Sequence, residues 1–121
     1  MSKTLQDVLA IISENGIKMV DFKLTDIDGR WRHLSIPAER LSEKTMTQGI
    51  GFDGSNYGYA PVENSDMVFV PVLDSAVVDR YAEVPTLSMI GDVKVIQIPE
   101  NKPFDQYPRN VAIREIGRAH V

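Results

Sequence analysis

Residues 20–36, VDFKLTDIDGRWRHLSI, decide the fold of this chain of 121 residues. In the first half of the segment, valine, phenylalanine and leucine stand at every second position, which is the pattern of a half-buried strand. Residues 26–29, DIDG, are typical of a turn. The alternation resumes from residue 30 to residue 36. The segment therefore predicts a β-hairpin.

A helix is predicted before this hairpin. Thr4 can cap its first turn, in which Asp7 is favourable. Asn15 and Gly16 tolerate the left-handed backbone that often ends a helix. Between these ends, apolar residues three and four positions apart would form one buried stripe: Leu5, Val8, Leu9 and Ile12.

The chain after the hairpin predicts further strands around a long loop. Pro37 would stop the second strand, and residues 38–46 are predicted to be short-helical or irregular. Residues 47–64 are rich in glycine, serine, asparagine and tyrosine, so a long loop is predicted there. Pro108 is typical of the first turn of another helix. Strand-like segments lie at residues 67–70, 76–78 and 86–98.

These elements indicate an α+β domain. One leading helix, four or five strands and a long strand after an irregular middle favour a mixed sheet of the β-grasp (ubiquitin-like) kind. The length fits a single domain, for which about 100–150 residues is usual. An eight-stranded α/β barrel needs about 250 residues and is excluded.

Composition and charge exclude several functional classes. Thirteen basic and 17 acidic residues give a net charge of −4, so no nucleic-acid partner is expected. The absence of cysteine excludes thiol chemistry, and two histidines, His33 and His120, cannot build a multi-histidine metal centre. The longest apolar stretch, residues 67–73, is far shorter than the roughly 20 residues of a membrane helix. The N-terminus lacks the pattern of a signal peptide, so we expect a cytoplasmic protein without a membrane partner.

Two short motifs resemble ligand-binding loops but lack the required context. Residues 49–54, GIGFDG, match the spacing of a dinucleotide-binding loop, which must follow a strand and open a helix. Neither flank fits, and Asp53 would bring negative charge to the phosphates. Residues 26–29 begin like a calcium loop, but Trp31 and Pro37 stand where glycine and glutamate are needed. Nucleotide binding is disfavoured, and the second motif is interpreted as a hairpin turn.

Residues 30–33, RWRH, surround an aromatic ring with cations, as some nucleic-acid-binding segments do. On a strand the two arginines share one face, and Trp31 and His33 take the other. Because the net charge is negative, we favour the simpler interpretation of one solvated face and one buried or interface face. No serine or aspartate stands at a motif spacing from His33, which is predicted to be a packed or exposed strand histidine.

The strongest candidate site is residues 52–59, FDGSNYGY. This segment combines a carboxylate, hydroxyl and amide groups, and two phenols. Such residues are common in turns, whereas long loops are often functional, and both interpretations stay open on composition alone. Asp53 could present an anionic acceptor to a small cation or a proton donor. It cannot perform acid–base catalysis alone, since no second catalytic group stands at a suitable spacing.

Several segments, taken in order, resemble the N-terminal domain of bacterial-type glutamine synthetases. FDGS at residues 52–55 is followed by SDM at residues 65–67, as FDGSS is followed by ESDM in that family. The resemblance spans residues 3 to about 115. Further matching segments are residues 20–29, 36–37, 91–93, 103–104 and 108–110.

The resemblance implies a β-grasp domain that packs against the catalytic domains of its own and an adjacent subunit in a homo-oligomeric ring. The full-length enzymes of that family ligate glutamate and ammonia, using ATP and Mg²⁺ or Mn²⁺, through γ-glutamyl phosphate. Asp53 matches the aspartate that binds ammonium and takes its proton, and the implied ammonium loop comprises Asp53, Ser55 and Asn56. No cofactor or metal site is implied in this chain, which is predicted to be inactive alone.

The sequence departs from the family pattern at two places, and two alternative functions stay open. Asn56 replaces the second serine of FDGSS, so a ligase that joins glutamate to a larger amine is one alternative. Residues 116–121 resemble the translation of a sequencing adapter and are predicted to be a non-native tail. Residues 1–107 are accordingly assigned to the β-grasp domain, and residues 108–115 to the start of a truncated helix leading to the catalytic domain. A stand-alone β-grasp binding or regulatory module is the other alternative.

Overall fold

The computed structural model describes residues 2–59, 66–96, 102–104 and 107–119. Single turns of 3-10 helix lie at Ala38–Arg40, Gly54–Tyr57 and Leu73–Ser75. The helices are α1 (Leu5–Glu14), α2 (Glu43–Gln48) and α3 (Pro108–Ala119). The strands are β1 (Met19–Thr25), β2 (Trp31–Pro37), β3 (Ile50–Asp53), β4 (Asp66–Pro71), β5 (Val77–Asp79), β6 (Thr86–Val95) and β7 (Lys102–Pro103).

The strands form one mixed sheet in the order β2-β1-β6-β4-β3, with β5 and β7 also paired to β6. β1 and β6 run parallel at its centre, and the other pairs are antiparallel. Helix α1 places Val8 in the hydrophobic core beneath this sheet. The predicted α+β class and mixed sheet are therefore confirmed.

The first hairpin forms as the alternation predicts. Val20, Phe22 and Leu24 are fully buried, and β1 pairs with β2 without a register break. At the turn, Oδ1 of Asp26 accepts hydrogen bonds from the backbone N–H groups of Asp28 and Arg30 at 3.0 and 2.9 Å. The carboxylate thus replaces backbone partners in the turn, and the interpretation of this motif as a hairpin turn is confirmed.

Helix α1 begins and ends where its sequence signals stand. Thr4 and Asp7 form a capping box, in which each side chain accepts from the other residue's backbone N–H. Asn15 follows the last helical residue as the C-cap. Thr4 and Asp7 accept from each other's backbone N–H groups at the start of the helix, and the Asn15 side chain donates to the carbonyl of Ile11 at its end, at 2.8 Å, so both ends are fixed locally.

The predicted loop at residues 47–64 is wrong over part of its length. Residues 50–53 form strand β3, with Ile50 opposite Phe69 of β4 and Asp53 opposite Asp66. Four residues with two apolar side chains are too few for a periodic signal, and the pairing partner lies some 15 residues further along. Residues 60–65 lie outside the described part of the chain.

The glycine-rich segment does not have the geometry of a dinucleotide-binding loop. Gly49 is the C-cap of α2, with φ of 85°. Gly51 lies within β3, and Gly54 opens a single 3-10 turn. The order is helix, strand and 3-10 turn, whereas a dinucleotide-binding loop follows a strand and opens a helix.

The remaining elements follow the sequence expectations where they are described. Strands β4, β5 and β6 fall on the three predicted strand segments, and residues 97 and 98 of the last segment lie outside the described residues. Helix α3 starts at Pro108, as predicted. It continues to Ala119, and the assignment of residues 116–121 as a non-native tail stays a prediction, as do the two domain boundaries before it.

Candidate functional site

The three candidate residues lie together in one tight turn. Asp53 ends β3, and its Oδ1 accepts hydrogen bonds from the backbone N–H of Ser55 at 2.9 Å and from the Ser55 hydroxyl at 2.7 Å. Asp53 and Asn56 are exposed, whereas Ser55 is partly buried. Ser55 therefore fixes the orientation of the Asp53 carboxylate at the protein surface.

The beginning of this turn is packed against the sheet. A Cβ atom at Gly54 would lie 2.6 Å from Sδ of Met67, so only glycine fits there without displacing the methionine. Met67 itself is buried and pairs with Phe52 across β3 and β4. The position of Asp53 is thus set by the pairing of β3 with β4 on one side and by the close contact of Gly54 with Met67 on the other.

The end of the turn rests on the first hairpin. The N–H of Ile27, in the hairpin turn, donates to the carbonyl of Tyr57 at 3.1 Å. The hydroxyl of Tyr59 donates to the carbonyl of Thr25 at the end of β1. The candidate loop and the hairpin are therefore one structural unit, although these contacting residues lie 30 and 34 positions apart in sequence.

Aromatic rings form the floor of the loop. Tyr57 stacks on Tyr59 with ring centroids 5.8 Å apart, and Phe52 meets Tyr57 edge-on at 5.4 Å. Burial raises the pKa of Tyr57, which the neighbouring Arg32 partly opposes. Burial also raises the pKa of Tyr59 well above its usual range. Both phenols therefore stay protonated at neutral pH and cannot act as general bases there.

The RWRH segment separates into two faces, as predicted, but the tryptophan lies on the open one. Trp31 is 66% exposed and shares its face with the exposed His33. On the other face Leu34 and Ile36 pack against the core, and Arg32 reaches the candidate loop. A cleft of about 330 Å³ beside that loop is lined by Trp31, Arg32, His33, Asn56 and Tyr57.

Asp21, His33 and Ser35 form a cluster that sequence spacing missed. Oδ1 of Asp21 lies 2.8 Å from Nδ1 of His33 and accepts from the hydroxyl of Ser35 at 2.9 Å. The hairpin register carries the missing signal, because it places Asp21 opposite Ser35 and diagonal to His33. A nucleophilic triad needs the serine and the carboxylate on different ring nitrogens, whereas both lie near Nδ1 here. The cluster is therefore not a serine nucleophile.

Among the residues that the structure describes, no group of three or more His, Cys, Asp or Glu side chains is arranged to hold a metal ion. None of the described helices is both long and apolar enough to cross a bilayer.

The fold and its loop match a known family. Residues 16–96 match the family described as glutamine synthetase, beta-grasp domain. The chain belongs to the glutamine synthetase family. The β-grasp fold and the family inferred from the ordered motifs are both confirmed.

Relatives of known name support this membership over nearly the whole chain. The chain is 36% identical to the glutamine synthetase of Vibrio alginolyticus over 112 residues, which are 92% of this chain and 24% of that protein. It is 40% identical to the Aquifex aeolicus glutamine synthetase over 91 residues, or 74% of this chain and 19% of that protein. It is also 35% identical to a 3-hydroxylaminophenol mutase of Cupriavidus pinatubonensis over 115 residues, or 94% of this chain and 24% of that protein.

Solved structures share the fold at low sequence identity. The GmaS/ADP complex superposes with a TM-score of 0.80 at 23% identity, covering 96% of this chain and 26% of that one. The glutamine synthetase of Plasmodium falciparum gives a TM-score of 0.69 at 14% identity, covering 98% of this chain and 24% of that one. The chain thus spans about a quarter of the length of the relatives that it matches.

Proposed function

We propose that this domain supplies the ammonium-binding loop of a glutamate–ammonia ligase, with Asp53 as the residue that binds ammonium and accepts its proton. The observation that carries the proposal is the Asp53 carboxylate, exposed at the surface yet oriented by two hydrogen bonds from Ser55. Family membership supports it, because the matching residues lie within the β-grasp domain.

The attack of ammonia on the acyl phosphate requires a proton acceptor beside the bound ammonium, and a carboxylate can serve as this acceptor. Ammonium has no free electron pair, so it cannot attack an acyl phosphate until it loses a proton. Asp53 would attract the cation by its charge and then take that proton, which leaves ammonia to attack the γ-carbonyl carbon while phosphate departs. Docking against a neighbouring subunit would remove water from the loop and strengthen both effects.

Ser55 and Asn56 would have different parts in this loop. Ser55 holds the carboxylate through its N–H and its hydroxyl, at 2.9 and 2.7 Å. Asn56 is exposed beside it, and its amide oxygen could accept a hydrogen bond from ammonium. Its NH₂ group could not, so the orientation of this amide would affect the affinity for the amine.

The proposal places ATP and the divalent metal, Mg²⁺ or Mn²⁺, outside the described part of this chain. Among the described residues, no group of three or more His, Cys, Asp or Glu side chains is arranged to hold a metal ion. ATP and the metal would be held by catalytic domains of the ligase, within a homo-oligomeric ring in which this domain meets its own and an adjacent subunit. The 121-residue chain alone would then release no phosphate from ATP with glutamate and ammonia.

Replacing Asp53 in the full-length protein tests this proposal. Asp53→Asn keeps the size of the side chain and removes the charge and the proton acceptor. Ammonia-dependent glutamine formation should fall at least about 100-fold, a usual contribution of a general base. Formation of γ-glutamyl phosphate, measured before ammonia is added, should stay near the parent rate. Equal losses in both steps would show that Asp53 has a structural role only.

A ligase that uses a larger amine is the second candidate. Asn56 stands where the family pattern has a serine, and one relative of similar identity is named a 3-hydroxylaminophenol mutase rather than a glutamine synthetase. Membership of this family therefore does not fix the reaction. Comparing kcat/KM for ammonia with kcat/KM for small alkylamines in the full-length protein decides between the two, and the first candidate requires ammonia to be the better acceptor.

A further inference from the structure

Arg32 reaches from the first hairpin to the candidate loop. Its Nη2 donates a hydrogen bond to the backbone carbonyl of Asn56 at 2.9 Å. Its Cζ atom lies 5.7 Å from the centroid of the Tyr57 ring. One side chain thus contacts two consecutive residues of the loop, directly after the serine that orients Asp53.

A buried carboxylate holds Arg32 in this position. Oδ2 of Asp26 lies 3.8 Å from Nε of Arg32, and the Asp26 side chain is 7% exposed compared with 44% for Arg32. The other oxygen of Asp26 is held by the backbone N–H groups of Asp28 and Arg30. Because the turn itself fixes Asp26, the direction of Arg32 is set by the hairpin.

Two neighbouring groups offset the positive charge of Arg32 beside the candidate loop. The Asp26 carboxylate and the face of the Tyr57 ring both stabilise the guanidinium group. Arg32 can therefore donate to the loop with reduced repulsion toward a cation bound beside it. A lysine could not replace it fully, since a single ammonium group lacks the planar fork that serves a carboxylate and a carbonyl together.

The contact made by Arg32 depends on the side chain at position 32. The hydrogen bond from Ile27 to Tyr57 joins two backbone groups and needs no particular side chain at position 27, proline excepted. The hydrogen bond to the Asn56 carbonyl requires a long donor side chain at position 32. A substitution at position 32 can therefore remove the hydrogen bond that holds the peptide between Asn56 and Tyr57.

We propose that Arg32 is a positioning residue for the amine site: it fixes the backbone at Asn56 and so the geometry of the loop that carries Asp53. This role rests on the function proposed above and deepens it, because a residue of the first hairpin then helps to select and hold the amine. Loss of the contact would loosen amine binding and spare γ-glutamyl phosphate formation, which precedes the attack of the amine.

The test compares Arg32→Met, Arg32→Lys and Arg30→Met in the full-length protein. Arg30 is the matched control, because it has the same charge two positions earlier and its side chain pairs with Asp28 at 3.5 Å. Arg32→Met should raise the KM for ammonium about tenfold, the effect of losing a hydrogen bond from a charged donor. The KM for glutamate and the rate of γ-glutamyl phosphate formation should stay at parent values. Arg32→Lys should show a smaller rise, and Arg30→Met should behave like the parent.

Each other outcome overturns this role or separates it from the proposed function. An unchanged KM for ammonium in Arg32→Met, or an equal rise in Arg30→Met, overturns it. If Arg32→Met impairs every kinetic parameter and also lowers the melting temperature, Arg32 has a structural role only, and the proposed positioning role is overturned. If Asp53→Asn impairs ammonia use and Arg32→Met does not, only the role of Arg32 fails. If Asp53→Asn leaves ammonia use intact, the proposed function fails, whatever Arg32→Met does.

Discussion

Gly58 packs directly against Ile27, so that a Cβ atom at Gly58 would lie 2.8 Å from Cγ2 of Ile27. The backbone of Gly58 is also left-handed, with φ of 77°. This contact lies at the point where the candidate loop meets the turn of the first hairpin. The left-handed backbone at position 58 therefore favours glycine, and a larger residue would also have to displace the Ile27 side chain.

Gly58→Ala should destabilise the protein by about 2–4 kcal/mol, since it combines left-handed strain with a steric clash. Gly16→Ala is the control, because Gly16 is also left-handed, with φ of 59°, but has no atom within 4 Å of a new Cβ. It should cost only about 1–2 kcal/mol. Chemical denaturation measures both, and equal losses would contradict the contact with Ile27.

Gly91→Ala should destabilise the core by about 3 kcal/mol through overpacking. A Cβ atom there would lie 2.5 Å from the carbonyl oxygen of Val70 and 2.5 Å from Cζ of Phe69, and the backbone oxygen cannot move aside. Gly51→Ala in β3 is the control, with no atom within 4 Å of the new Cβ. Its free energy of unfolding should stay equal or rise by about 0.5 kcal/mol, since glycine weakens a strand. A thermal or urea melt in which both variants match the parent would refute the packing at Gly91.

Ser55→Ala should weaken ammonium binding in the full-length protein without abolishing catalysis. The substitution removes the 2.7 Å hydrogen bond from the hydroxyl to Asp53 and leaves the 2.9 Å bond from the backbone N–H. The KM for ammonium should rise about tenfold, which is the lower end of the range for one hydrogen bond to a charged acceptor. Ser13→Ala, at an exposed position in α1, should leave it unchanged. An unaltered KM in Ser55→Ala would mean that the Ser55 hydroxyl does not contribute to the orientation of Asp53.

Stability should fall at alkaline pH because burial raises the pKa of Tyr59 above its ordinary value of 10.0. Below about pH 10 the phenol is protonated in both states, and its contribution is fully present. Above that pH the unfolded chain loses the proton first, so the free energy of unfolding decreases as pH rises toward the folded pKa. Burial likewise raises the pKa values of Tyr57 and Tyr107, which adds to the decrease.

Tyr59→Phe isolates this effect. The variant should be less stable at neutral pH, because it loses the hydrogen bond to the Thr25 carbonyl, but its stability should decrease less steeply above pH 10. Tyr81→Phe is the control, since Tyr81 is 99% exposed. Its stability should decrease above pH 10 as steeply as that of the parent. Urea melts between pH 8 and pH 11 measure the slopes, and the same slope in Tyr59→Phe and the parent would contradict the prediction.

Local signals in the sequence predicted much of the architecture. The alternation at residues 20–36 gave the hairpin, Thr4 and Asn15 gave the ends of α1, and Pro108 gave the start of α3. Strand β3 could not be predicted in this way. It has four residues, and its stability comes from pairing with β4 rather than from its own pattern.

The order of motifs along the chain singled out Asp53, Ser55 and Asn56 as candidate site residues, and in the structure they lie in one turn. The contacts that hold that turn emerge only when the chain is folded, because Arg32 contacts Asn56 and Ile27 contacts Tyr57 across 24 and 30 residues of chain. Helix caps and strand alternation depend on neighbours a few residues apart, so they can be read along the chain. A contact between a hairpin and a distant loop depends on the register and packing of the whole sheet, which no local pattern encodes.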